Sequence, residues 1–137
     1  MAMRENLARF LRGQKNIKIA YLFGSVARGE PGPLSDIDIA VYMDEKLSKI
    51  ERSKRKLLLI YEISGILNTD KFDLVVMNDT PSCFNYEIIK RGDILVADEE
   101  TRMDLETRIL SEYLDRRYYD KMHMESFLER VSQRGLS

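Results

Sequence analysis

Apolar residues recur along this chain in blocks whose spacing switches between helical and strand-like, and the switching alone predicts an order of elements. Over residues 4–11, Leu7, Phe10 and Leu11 share one helical face, and Gly13 is placed to end the helix. Residues 17–23 are rich in branched and aromatic side chains and predict a first strand. The segment Gly29-Glu30-Pro31-Gly32-Pro33-Leu34-Ser35 is turn-rich and excludes helix or interior strand, so it reads as a mobile rim. Residues 36–42, Asp-Ile-Asp-Ile-Ala-Val-Tyr, predict a second strand. Ten residues separate Ser25 from Asp36, fewer than a parallel crossover takes, so this strand is expected to run antiparallel to the first.

A long helix is predicted over residues 45–68, with Asp44 as its N-cap and Leu47, Ile50, Leu57, Leu58 and Tyr61 on its inner stripe. A third strand follows over 71–77. A strand, a long helix and another strand form a crossover unit with parallel strands and a right-handed connection, which brings Asp73 beside the start of the second strand. Thr80-Pro81 reads as an N-cap with Pro at the first helical position, opening a helix through Lys90 that Gly92 ends. Residues 93–97 form a short last strand, expected on an edge. From 99 to about 134 the pattern is helical throughout, with Ile109, Leu110, Tyr113, Leu114, Tyr118, Met122, Phe127, Leu128 and Val131 three and four apart. A single helix of that length would run about 50 Å at 1.5 Å per residue, so it either bends back or lays part of its stripe on another chain.

The resulting fold class is α/β with α+β character: a small mixed β-sheet with flanking helices and a C-terminal helical extension. Two units are expected, a core over 1–98 and the extension over 99–137, packing on the core, on a partner, or on a second copy as a homo-oligomer. The 137 residues suit one compact domain with that appendage.

Composition narrows the function. Lys and Arg number 22 against 23 Asp and Glu, a formal charge of −1, which argues against autonomous nucleic-acid binding. No apolar run is long enough to span a bilayer, and the first residues lack the apolar core of a signal peptide, so a cytoplasmic location is expected. Cys83 is the single cysteine, which excludes an internal disulfide and a thiolate cluster and makes it a small apolar filler. His123 stands without other ligand types and reads as helix packing. The stretch 46–56 holds six basic residues and one acid, a pattern that most often means a solvated face.

The chemistry concentrates in Leu22-Phe23-Gly24-Ser25 and Asp36-Ile37-Asp38. Gly24 lets backbone approach a ligand, and the N–H groups and hydroxyl that follow from Ser25 suit a phosphate. Asp36 and Asp38, two apart on a strand, point to one face, and two carboxylates so close repel unless a cation lies between them. Hard oxygen ligands beside a phosphate site suit Mg²⁺. Arg28 reads equally as a phosphate partner or a solvated turn residue. For the third acid, Asp70 and Asp79 flank the same strand as Asp73; Asp73 is preferred because it lies inside it.

Gly24-Ser25, ten residues and then Asp36-x-Asp38 resemble the signature of the DNA polymerase β-like nucleotidyltransferase superfamily. The surrounding Phe-Gly-Ser-Val-Ala-Arg-Gly, Phe72-Asp73-Leu74-Val75-Val76 and Tyr86-Glu87-Ile88-Ile89-Lys90-Arg91-Gly92 are similar to its minimal, MNT-type branch. The resemblance covers residues from about 17 to 98 and implies the polymerase β-like fold, ATP as substrate and two Mg²⁺ ions held by Asp36, Asp38 and Asp73, with Asp73 a candidate proton acceptor. It further implies pairing with a HEPN ribonuclease as a toxin–antitoxin system, in which AMP is transferred from ATP to a toxin tyrosine. The alternatives are an antitoxin that neutralises the toxin by binding alone, and a transferase acting on a small hydroxyl substrate such as an antibiotic.

Overall fold

A computed structural model of the protein describes residues 2–23 and 37–115. The elements run α1 (Ala2–Arg12), β1 (Ile17–Phe23), β2 (Ile37–Met43), α2 (Lys49–Leu67), β3 (Phe72–Val76), a single 3₁₀ turn (Met77–Asp79), α3 (Ser82–Arg91), β4 (Asp93–Ala97) and α4 (Glu99–Asp115). The four strands form one mixed sheet in the order β3-β2-β1-β4. β1 pairs antiparallel with β2 and with β4, and β2 pairs parallel with β3. The short β1–β2 connection and the α2 crossover therefore give the strand directions that their lengths require, and β4 lies on an edge as expected.

Alternation along the strands divides the core between the two faces of the sheet. Ala20, Leu22, Ile39, Val41, Met43, Leu74 and Val76 point to the face that α1 and α2 cover with Leu7, Leu11, Leu59 and Ile63. Tyr21, Ala40 and Tyr42 point to the other face, which Ile88 of α3 and Leu105 and Ile109 of α4 cover. Two helical layers thus sandwich the sheet. Leu105 and Ile109 are buried as deeply as the strand residues they meet, so α4 closes the second core.

The α2 helix departs from expectation at both its start and its face. It begins at Lys49 with Ser48 as N-cap: the Ser48 hydroxyl accepts from the Glu51 N–H at 3.1 Å, and the Ser48 N–H donates to the Glu51 carboxylate at 2.8 Å. This capping box satisfies two amides that would otherwise lack partners, whereas Asp44 accepts from the Lys46 N–H in a tight turn upstream. Of the predicted inner stripe only Leu47 packs on the core. Ile50, Leu57, Leu58 and Tyr61 are 70%, 69%, 53% and 79% exposed, and the buried residues are Leu59 and Ile63. Residues 57–61 are apolar without a break, so a 3.6-residue period fits two opposite stripes equally, and the sheet selects the other one.

The entry to α3 differs as well. Pro81, not Thr80, occupies the N-cap position, and the Thr80 hydroxyl donates to the Val76 carbonyl at 2.8 Å, closing the 3₁₀ turn. Gly92 ends α3 as expected. A Cβ there would stand 2.7 Å from the Ile88 carbonyl oxygen, which the Gly92 N–H itself bonds at 2.7 Å, so close approach sets the requirement for glycine. On α4, Ile109 is buried and the Tyr113 ring stacks on Tyr86 at 3.9 Å, while Leu110 and Leu114 stay exposed. The expectations for the rim 29–35, Arg28, Tyr118, His123 and the helix beyond 115 fall outside the described residues.

Truncation should separate the two faces of α2. Leu59→Ala or Ile63→Ala is expected to cost about 2–5 kcal/mol of stability. Leu57→Ala is expected to cost less than about 0.5 kcal/mol. Urea unfolding of the three variants checks this, and equal losses would contradict the assignment of the buried face.

Candidate active site

The site is built from the start of two neighbouring strands. In the parallel β2–β3 ladder Asp38 stands directly opposite Asp73, and on the other side of β2 it stands opposite Phe23, the last residue of β1. Residues paired in register project to the same face, so both carboxylates lie on the side of the sheet that carries Ala40, Tyr42 and Val75. Adjacent strands are about 4.8 Å apart, which sets the scale of the separation between the two acids. Phe23 packs edge-on against Phe84 of α3, with ring centroids 6.4 Å apart, and fixes the end of β1 beside this pair. Asp73 is exposed and Asp38 partly buried, so the pair opens to solvent at the strand ends.

Of the other predicted site residues, Gly24, Ser25 and Asp36 lie outside the described residues. Gly24 follows Phe23 in the chain, and Asp36 precedes Ile37, the first residue of β2. Among the described residues no cluster of three acidic, histidine or cysteine side chains forms a metal cage. Asp38 and Asp73 are nonetheless a hard-oxygen donor pair on one face, a donor set that suits a magnesium ion completed by water and phosphate oxygens.

The two rival acids are placed elsewhere. Asp79 sits in the 3₁₀ turn at the far end of β3, where its carboxylate accepts from the Arg52 guanidinium at 2.6 and 3.0 Å. That bidentate bond holds the Asp79 carboxyl below its ordinary value. Asp70 is exposed in the turn before β3, outside the ladder.

Sequence reasoning missed a polar cluster at the opposite end of the same face. The Tyr42 hydroxyl donates to the Glu45 carboxylate, and Arg108 of α4 donates to the Tyr42 oxygen at 3.1 Å and to Glu45 at 3.2 Å. Burial, followed by the bond to Glu45, raises the Tyr42 hydroxyl above its ordinary value, and the bonds from Tyr42 and Arg108 lower Glu45. Nearby, the Tyr21 hydroxyl donates to Glu106 at 2.6 Å, and burial with that bond pushes it far up, so it stays protonated. These contacts pin α4 to the sheet. They also flank two clefts of about 220 and 380 Å³, both lined by Tyr42, Glu45 and Arg108 and both remote from Asp38 and Asp73. No local pattern could have revealed them, because Arg108 is 63 and 66 positions from its two partners.

Comparison with known proteins agrees with the geometry. Residues 5–101 match the family model described as polymerase beta, nucleotidyltransferase. The protein adenylyltransferase MntA of Aphanizomenon flos-aquae (strain 2012/KM1/D3) is 28% identical over 138 residues, covering 93% of this chain and 91% of that protein. Among solved structures, a toxin–antitoxin complex with AMP-PNP superposes with a TM-score of 0.71 at 21% identity over 91% of this chain and 98% of the other. A complex of tri-AMPylated Shewanella oneidensis HEPN toxin with its MNT antitoxin gives 0.64 at 20% identity, over 92% and 97%. At these identities the structural likeness establishes the shared fold. No helix among the described residues is long and apolar enough to cross a membrane.

Two expectations follow from the site's electrostatics. Like charges directly opposite in a ladder repel, so Asp73→Asn should stabilise the metal-free protein by about 0.2–1 kcal/mol. Chemical unfolding should show the gain shrinking in about 1 M salt, and a loss of stability would contradict the repulsion. Arg52→Ala should cost about 0.2–1 kcal/mol at neutral pH. Because the Asp79 carboxyl is depressed in the folded state, that contribution is present above its ordinary value of 3.8 and is lost as pH falls through the lower folded value; urea midpoints across that window check it.

Proposed function

This chain belongs to the polymerase beta nucleotidyltransferase family, and from that premise we propose that it is a magnesium-dependent protein adenylyltransferase antitoxin, transferring AMP from ATP to a tyrosine hydroxyl of a HEPN-domain ribonuclease toxin. The observation that carries the reading is the in-register pair of Asp38 and Asp73 at the starts of β2 and β3, with Asp38 directly opposite Phe23, the last residue of β1. The near full-length relation to a protein adenylyltransferase supports the choice of donor and acceptor.

Asp36, Asp38 and Asp73 would hold the metal, two ions in the full site. Magnesium, when bound, supplies charge neutralisation at the triphosphate and acidifies the attacking hydroxyl. Gly24 and Ser25 would bind phosphate oxygens through backbone N–H groups and the hydroxyl. The tyrosine oxygen forms the new bond to the α-phosphorus, the bond from that phosphorus to the bridging oxygen breaks, and pyrophosphate leaves with the electron pair. Asp73, exposed at the start of its strand, would accept the tyrosine proton. The inhibitory logic is electrostatic, since a phosphate on the toxin near its RNA groove repels the substrate backbone.

Incubation with the cognate toxin, ATP and Mg²⁺ should add an AMP-sized mass to a toxin tyrosine. Asp36→Asn or Asp38→Asn should lower the rate by at least about 100-fold, the scale of losing a transition-state charge contact. Absence of an adduct with the wild-type protein would overturn the reading, as would full activity of both variants. Protection of cells undiminished in Asp38→Asn would instead identify an antitoxin that acts by binding alone.

A further inference from the structure

One side chain in the turn after β3 takes the place of a strand's backbone. The β2–β3 ladder runs as far as Val41 opposite Val76, after which the chain leaves the sheet in the 3₁₀ turn Met77–Asp79. Continued at the same offset, the ladder would set Met43 opposite Asn78. The Asn78 carboxamide stands there instead: the Met43 N–H donates to its Oδ1 at 2.9 Å, and its Nδ2 donates to the Met43 carbonyl at 2.9 Å. An N–H can only donate and a carbonyl only accept, so the two bonds fix which way the amide faces. Aspartate would offer no donor, leucine neither group, and glutamine would carry the amide one carbon too far. Met43 is fully buried, so no water replaces these bonds.

What the bond pair secures is register. β3 has five residues, lies on an edge and is paired on one side only. Side-chain alternation prohibits a slip of one residue, since every core residue would change face, but it is indifferent to a slip of two. Such a slip would set Asp38 opposite Lys71 or Val75 in place of Asp73. Pairing with Lys71 would exchange like charges for opposite ones, which a ladder without a bound cation prefers. Electrostatics at the acid end therefore works against the register observed. The other side-chain bonds of the turn fasten it to helices: the Asn85 Nδ2 donates to the Met77 and Thr80 carbonyls from α3, and Arg52 of α2 donates to Asp79. Of all these bonds only the Asn78 pair reaches β2, and it closes at a single offset.

We infer that Asn78 is a positioning residue for the acid pair. By closing both bonds on Met43 it sets the axial place of β3, and five residues back along each strand, roughly 17 Å away, that place brings Asp73 opposite Asp38. An extended strand does not shorten, so fixing one end along its axis fixes the other. The inference rests on the reading of Asp38 and Asp73 as metal ligands, and it assigns their alignment to a residue outside the site.

Mn²⁺ titration of the full chain with a non-hydrolysable ATP analogue, followed by electron paramagnetic resonance, tests this on folded Asn78→Ala and on the isosteric Asn78→Asp. Both should bind the ion at least about 10-fold more weakly than wild type, the lower end of what loss of a residue that orients metal ligands costs. Leu7→Ala opens a cavity under α1, which packs on β1, β4 and α2; it should lower the Tm and leave Mn²⁺ binding unchanged. In isotope-labelled, metal-free protein the cross-strand contact between the backbone protons of Asp38 and Asp73 should weaken in the Asn78 variants and persist in Leu7→Ala. Wild-type affinity in Asn78→Ala, or in Asn78→Asp should the alanine variant not fold, would overturn the role. So would an equal loss in Leu7→Ala, because binding would then follow stability. A wild-type protein that binds no Mn²⁺ would remove the metal reading instead. The cross-strand contact would then decide on Asn78 by itself, and its retention in both variants would overturn the inference.

Discussion

Parallel pairing between β2 and β3 is the constraint on which the rest of the molecule depends. Two parallel strands cannot be joined by a tight turn, so α2 must carry the chain back the length of the sheet, and its Leu59 and Ile63 bury against the strands it connects. The register this imposes sets Asp38 opposite Asp73. A slip of one residue would turn one carboxylate into the α1–α2 core, where an unpaired charge is prohibitive, so core and site demand the same register.

The opposite face shows how a small sheet holds a polar rim without losing its core. α3 and α4 cover Tyr21 and Tyr42, each of which buries its ring and spends its hydroxyl on a glutamate. Arg108 and Arg102 complete the two clusters from α4. The Tyr42 cluster sits at the opposite end of β2 from Asp38, so one end of this face is closed by mutual charge pairing and the other presents two acids of like sign.

Much of this was legible in the residues. Strand directions followed from connection lengths, α1 from Leu7 and Leu11, and the adjacency of Asp38 and Asp73 from the crossover. The face of α2 was not legible, because an unbroken apolar run from Leu57 to Tyr61 satisfies either of two opposite helical stripes and only the sheet decides between them. Its start was legible but misread: Ser48 and Glu51 spell a capping box that competes successfully with Asp44. The Tyr42, Glu45 and Arg108 cluster had no local signal, since its members meet only through the fold. The misread stripe is also the informative one, for what looked like core on α2 is the apolar surface left over once the core is complete.

The central claim, that Asp38 and Asp73 act together on a divalent ion, is tested most directly by adding Mn²⁺ to isotope-labelled protein with a non-hydrolysable ATP analogue and following paramagnetic broadening of the backbone amides. Broadening centred on the first residues of β2 and β3, and lost from both strands in Asp73→Asn, is the result this account requires. Broadening centred instead around Tyr42, Glu45 and Arg108, or unchanged by Asp73→Asn, would contradict it.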